Sequence, residues 1–80
     1  MSRLRRLSGA QVVFVLASFG FYVVGQKGSH IKPARIVDGK RQILTIPNHK
    51  EIDTGTLRAV YRQISVYISE TALRKHFYSE

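Results

Sequence analysis
The sequence contains no cysteine and no tryptophan, and only five acidic residues among 80. Without cysteine, disulfide staples and thiolate metal sites are excluded, and a reducing compartment such as the cytosol suits the chain. The five carboxylates form no cluster along the sequence that would hold Mg²⁺, so the chemistry expected here uses neither metal nor cofactor. Long apolar runs are also missing. The longest, Val12 to Val24, is interrupted by Ser18 and Gly20 and falls short of the roughly 20 residues that span a bilayer. Arg3, Arg5 and Arg6 precede that run, so an exported or anchored basic peptide remains an alternative. Its mark would be membrane fractionation or loss of the N-terminal segment. The expectation is a cytoplasmic protein without a membrane partner.

What is present is cationic. Thirteen Lys and Arg give a formal net charge of +8. In one small domain that excess favours a polyanionic or acidic partner, with simple solubility as the bland alternative. So short a chain buries only about 60–65 % of its unfolded surface, so a site on an open face is expected rather than a deep one.

Ser8 with Gln11 three residues on can form a capping box. Val12, Val15, Leu16 and Phe19 then follow helical spacing, and Gly20 is a natural stop, which predicts a helix over Gly9–Phe19. Its other side carries Ala10, Val13, Phe14 and Ala17, so it has either a second thing to cover or simply chance apolar residues. Phe21–Val24 reads as a strand, Gln26–Ser29 as a turn and Ile31–Val37 as a second strand. Asp38-Gly39 signals a type I′ hairpin, and Gln42–Ile46 is the third strand, ended by Pro47. Asn48–Asp53 is a polar loop. A helix beginning near Thr54 or Thr56 buries Leu57, Val60, Tyr61 and Ile64. Ser69 can cap a last short helix carrying Ala72, Leu73, His76 and Phe77. Short connections make the strands an antiparallel meander covered on one face by helices. Residues 1–7 are set apart as a basic arm and 8–80 as one domain.

The two-residue hairpin fixes a register: Val37 faces Lys40, Arg35 faces Gln42, Pro33 faces Leu44 and Ile31 faces Ile46. Ile31, Pro33, Val37, Leu44 and Ile46 then line the core, and His30, Lys32, Arg41 and Thr45 line the open face. Pro33 cannot donate in a central strand, so a bulge or a late strand start is expected there.

Several blocks carry a family resemblance: Phe19-Gly20-Phe21, Gln26-Lys27-Gly28-Ser29-His30, Asp38-Gly39-Lys40-Arg41, Ile46-Pro47, His49-Lys50-Glu51-Ile52 and Gly55-Thr56-Leu57-Arg58. Each is weak alone. The Lys-Gly-Ser-His block followed at this distance by Gly-Thr-Leu-Arg is specific, and over roughly residues 8–77 the chain resembles the HicA (YcfA-like) toxins. The resemblance implies an α+β fold like that of double-stranded-RNA-binding domains, helix–three strands–helix. It implies a ribosome-independent mRNA interferase, acting on single-stranded RNA or mRNA and neutralised by a HicB-type antitoxin, with His30 as the catalytic residue. Ile31-Lys32-Pro33 departs from the histidine or aromatic that the family often carries after the block, which bears on substrate contacts on that strand.

The chemistry fits the residue types. A histidine titrating near neutrality can take the proton of an RNA 2′-hydroxyl or give one to the leaving 5′-oxygen. Lys27, Lys32 and Arg41 are candidates to stabilise the phosphorane. Gly28 and Ser29 serve the turn and could offer phosphate contacts. His49 and Lys50 could supply a second proton-transfer group or a phosphate contact, or belong to a solvated loop. Arg58, with Arg62 four residues on, could track a phosphate backbone or simply face solvent. His76 reads as structural. Tyr22 and Tyr61 read as core residues that could otherwise stack on bases. Val13, Phe14 and Ala17 are the expected antitoxin contact. A lone histidine beside a turn is also a common surface residue, and the competing function is a non-catalytic RNA-binding module of the same fold.

Overall fold
A computed structural model describes residues 2–79. In chain order the elements are β1 (Arg3–Leu4), α1 (Gly9–Ala17), β2 (Tyr22–Lys27), β3 (His30–Val37), β4 (Lys40–Ile43), β5 (Ile46–Pro47), α2 (Thr54–Ser65), α3 (Glu70–Phe77) and β6 (Tyr78–Ser79). The α1-β2-β3-β4-α2 body is the α+β, double-stranded-RNA-binding-domain-like arrangement expected.

The capping box forms as predicted. The Ser8 hydroxyl accepts from the Gln11 amide at 3.0 Å, and Gln11 Oε1 accepts from the Ser8 amide at 2.8 Å. The helix ends two residues before the expected Phe19. Its last turn tightens, with the Ser18 and Phe19 amides donating to the Val15 and Leu16 carbonyls, and Gly20 turns the chain at φ +89°. Leu57, Val60, Tyr61 and Ile64 are buried on α2, and Leu73 and Phe77 on α3. These meet Val12 and Leu16 of α1, Phe21, and Ile31, Leu44 and Ile46 of the sheet in one core.

β3 is the central strand, paired on one side with β2 and on the other with β4 and then β5. The hairpin register holds. Val37 faces Lys40, Arg35 faces Gln42 and Ile31 faces Ile46, and Asp38 and Gly39 adopt φ +52° and +76°. Two expectations need correction. The turn after β2 is Gly28-Ser29 alone, because glycine at φ +58° in the first central position makes a type II′ hairpin, leaving Gln26 and Lys27 in the strand. The third strand is not continuous. Pro33 points its missing N–H at Leu44, whose own amide donates to the Pro33 carbonyl at 2.9 Å, and the ladder breaks across Leu44-Thr45.

The same stretch of β3 faces a bulge in β2. Val23 pairs with Pro33 and Gly25 with Lys32, so Val24 is the extra residue. Arg35 projects among core residues rather than into solvent. It donates to Phe19 O (2.8 Å), Tyr67 O (3.0 Å) and Gln42 Oε1 (2.7 Å) and lies over the Phe21 ring, tying the ends of α1 and α2 to the sheet. Val37, expected inside, is 38 % exposed at the hairpin tip. The segment set apart as a basic arm is attached along its described length. Arg3 and Leu4 pair with Ser79 and Tyr78, the Arg5 amide donates to Phe77 O, and Leu7 is buried.

Candidate active site
His30 is the first residue of β3, held directly after the Gly28-Ser29 turn, with Lys27 as its cross-strand partner. Directly opposite residues share a face of the sheet, so Lys27 stands beside His30 on the open side. The Val24 bulge makes this possible. Tyr22 also shares that face through its pairing with Ala34, and unbroken alternation from Tyr22 would turn Lys27 to the other face.

On the other flank His30 pairs with Pro47 of β5. The chain then runs into Asn48 and His49, and backbone bonds fix it there. The Asn48 amide donates to Ser29 O at 2.6 Å, and the Gly9 amide donates to His49 O at 2.9 Å. Gly9 has to be glycine for this approach. A Cβ at Gly9 would overlap the Pro47 carbonyl oxygen and meet Asn48 Cα at 3.0 Å. The N-terminus of α1 thus clamps the loop that carries His49.

The third wall is α2. His30, Thr45, Pro47, His49, Thr56, Ala59, Val60 and Gln63 enclose a cleft of about 360 Å³. Gln63 stands in for the missing strand partner: its Oε1 accepts from the Thr45 amide at 2.9 Å and its Nε2 donates to Thr45 O at 3.3 Å. The Thr45 hydroxyl accepts from Lys32 Nζ at 2.8 Å, which fixes an ammonium at the cleft wall. The nearby acidic group is Asp53. Its side chain caps α2 by accepting from the Thr56 amide at 3.1 Å. Hydrogen bonding from Thr56 holds its carboxyl below the usual value, with a smaller contribution from the charge of His49.

His30, Lys27, Gly28, Ser29, Lys32 and His49 therefore gather at one end of the sheet. Lys50 stands beside them, with His49 in an adjoining hollow of about 490 Å³ against Ser8 and Ala10. Arg41 does not join them. It pairs with Ile36, six residues along β3 from His30 and so about 20 Å away. Arg58 is exposed on α2 and is not among the residues lining the cleft. Thr45 was expected on the open face with His30 and Lys32 and meets Lys32 there. Thr56 and Gln63 were not foreseen, because they come from α2 and no local signal in the sequence marks its packing against this end of the sheet.

A larger groove of about 590 Å³ crosses α1, lined by Leu7, Phe14 and Val15 and rimmed by Arg5, Lys75 and His76. Phe14 is 80 % exposed and Ala17 is exposed, while Val13 packs partly against the core. His76 meets the Phe19 ring edge-on at 5.7 Å, a packing role. Tyr61 is buried, whereas Tyr22 is 58 % exposed, against the expectation of a core residue, because β2 extends along an uncovered edge. No helix among the described residues is long and apolar enough to cross a membrane.

Residues 9–66 match the family model described as HicA toxin of bacterial toxin-antitoxin. No curated protein and no solved structure matches the chain.

Proposed function
We propose that this chain, which belongs to the HicA toxin family, is a metal-independent and ribosome-independent endoribonuclease that cleaves single-stranded RNA, mRNA included, with His30 as general acid or base. The observation that carries this reading is the setting of His30. It is exposed at the mouth of a cleft, next to Lys27, with the Lys32 ammonium tied to the cleft wall through Thr45. A histidine can exchange a proton with the 2′- or 5′-oxygen at neutral pH. Fixed ammonium groups stabilise the charge that develops on the phosphorane oxygens. Neither role requires a metal ion or a cofactor.

Lys27, Lys32, Lys50 and the Gly28-Ser29 backbone are the phosphate contacts in this reading, and Arg41 and Arg58 are at most remote contacts along the strand. The working unit is one domain, with the segment before Ser8 adding charge and, through β1 and Leu7, part of the packing. A toxin acting in the cytoplasm has to be silenced, and the partner in this reading is an acidic HicB-type antitoxin. It would cover the cationic face around His30 and rest on the exposed Phe14 of α1.

The test is cleavage of a defined mRNA by purified wild type and His30→Ala in excess EDTA, with the ends mapped by gel. Cleavage by wild type alone supports the assignment. Binding without cleavage by either protein would make the chain an RNA-binding module. Equal cleavage by both would remove His30 from the reaction.

A further inference from the structure
We propose that His49 is the second proton-transfer group of the site, working with His30 on opposite sides of one phosphodiester. The proposal rests on the endoribonuclease reading above and deepens it.

Strand cleavage by the 2′-hydroxyl needs two proton transfers. As O2′ attacks phosphorus its proton must leave, and as the P–O5′ bond breaks the departing oxygen must gain one. The products are a 2′,3′-cyclic phosphate and a 5′-hydroxyl. One histidine ends the step protonated and the other deprotonated, and water restores both. Attacking and leaving oxygens lie in line across the phosphorus. A single imidazole on one side serves one of them well, so a second group is wanted on the other side.

His49 occupies that place. It lines the same cleft as His30, its Cα at most about 7 Å beyond the Pro47 that pairs with His30. Its position is built rather than incidental, because Asn48 is bonded to Ser29 and the His49 carbonyl to Gly9. Both anchors use main-chain atoms, which leaves the imidazole exposed and free to meet substrate. Lys32, two residues along β3 from His30, reaches the cleft wall through its bond to the Thr45 hydroxyl. The ionisable groups near His49 include His30 in the same cleft, Lys50 and Glu51 next in the chain and Asp53 at the start of α2. Thr56 and Gln63 of α2, and Ser8 and Ala10 of α1, bring no charge.

The experiment compares wild type, His30→Ala and His49→Ala on a short single-stranded oligoribonucleotide that wild type cleaves. A second substrate carries sulfur in place of the bridging 5′-oxygen at the scissile link. A thiolate leaves without needing a proton, so the sulfur substrate relieves the loss of the general acid and not that of the general base. Each variant should cleave the ordinary substrate about 100-fold or more slowly while binding a 2′-deoxy analogue as wild type does. One variant alone should recover most of its rate on the sulfur substrate, and the rate–pH curve should lose one limb in His49→Ala. Wild-type cleavage by His49→Ala would overturn the proposal and leave His30 in place. So would slow cleavage by both variants with neither, or both, rescued by sulfur. No cleavage by wild type itself would instead overturn the endoribonuclease reading, and the pair with it.

Discussion

Replacing Gly9 by alanine sets two local effects against each other. Alanine is the better helix former by at most about 1 kcal/mol, so α1 alone would gain. The added methyl, however, would overlap the Pro47 carbonyl oxygen and press on Asn48 Cα at 3.0 Å and Pro47 C at 3.1 Å. These are main-chain atoms, which cannot swing aside as a side chain would. Overpacking of this kind costs about 1–3 kcal/mol. Moving the loop away also stretches the bond from the Gly9 amide to His49 O, 2.9 Å long in the native chain and of a kind contributing about 1 kcal/mol. The clash and the lost bond outweigh the helical gain, leaving a net loss of about 2 kcal/mol. In a domain of this size that lowers Tm by roughly 8–16 °C.

Because the displaced loop carries His49 and abuts the His30 turn, RNA cleavage at a temperature where the variant stays folded should also fall, by about tenfold to 100-fold for a displacement near 1 Å. Thermal unfolding followed by circular dichroism, with cleavage assays on the same samples, gives both numbers. Gly25→Ala is the control, since a Cβ there meets nothing within 4 Å. Its Tm should stay within a few degrees of wild type. A Gly9→Ala protein as stable and as active as wild type would refute the close approach of α1 to the loop, and with it the account of how His49 is held.

Other expectations follow from single contacts. Gln63→Leu leaves the Thr45 amide and carbonyl, which the edge strand turns outward, without their partners. It should cost about 1–3 kcal/mol in urea unfolding, and an unchanged midpoint would contradict the splint. Phe14→Gln should leave Tm within about 4 °C, since surface substitutions usually stay within ±0.5 kcal/mol and Phe14 is 80 % exposed. It should weaken antitoxin binding measured by calorimetry, and equal affinity would remove α1 from the interface. Asp53, with its carboxyl held below the usual carboxylate value by hydrogen bonding from Thr56, contributes stability that is complete above that usual value and lost as the pH falls through the lower folded one. Asp53→Asn keeps a capping side chain without the charge, so its Tm should decline less than that of wild type on acidification below about pH 4. Parallel declines would show that other carboxylates govern acid unfolding.

Much of the fold could be read from local signals because local geometry determines it. The Ser8–Gln11 box, the Ser69 cap and the stripe from Leu57 to Ile64 are settled within a few residues. Asp38-Gly39 settles more. A two-residue turn leaves one possible pairing, and the partners of Val37, Arg35 and Ile31 followed from it. The readings that failed involve partners distant in sequence. Gln26 and Lys27 are polar and adjoin a glycine, so they read as turn, yet β3 supplies a strand for them to pair with. Gln42–Ile46 has the composition of one strand, but Pro33, about ten residues upstream, removes the donor that would have kept it whole.

The candidate site shows the same division. His30 could be singled out from its own block of residues, since a turn followed by a strand puts a histidine where solvent and substrate reach it. Part of its company could not. Lys27 reaches the same face only because Val24 is bulged across from Pro33 and Lys32, and two consecutive valines announce a regular strand. The hairpin register did place Lys32 and Thr45 on the face of His30, but not the Gln63 side chain that holds the Thr45 backbone from α2. His49 is brought in by a glycine at the start of a helix, where glycine reads as a modest weakness and serves as a point of close contact. The residues that assemble the site are thus Gly9, Val24 and Gln63 as much as those that would touch RNA. The register is the same on both sides of the break at Pro33, so Thr45 stands opposite Lys32 and its hydroxyl meets the ammonium by cross-strand pairing, while Gln63 takes up the amide and carbonyl that this edge strand turns outward.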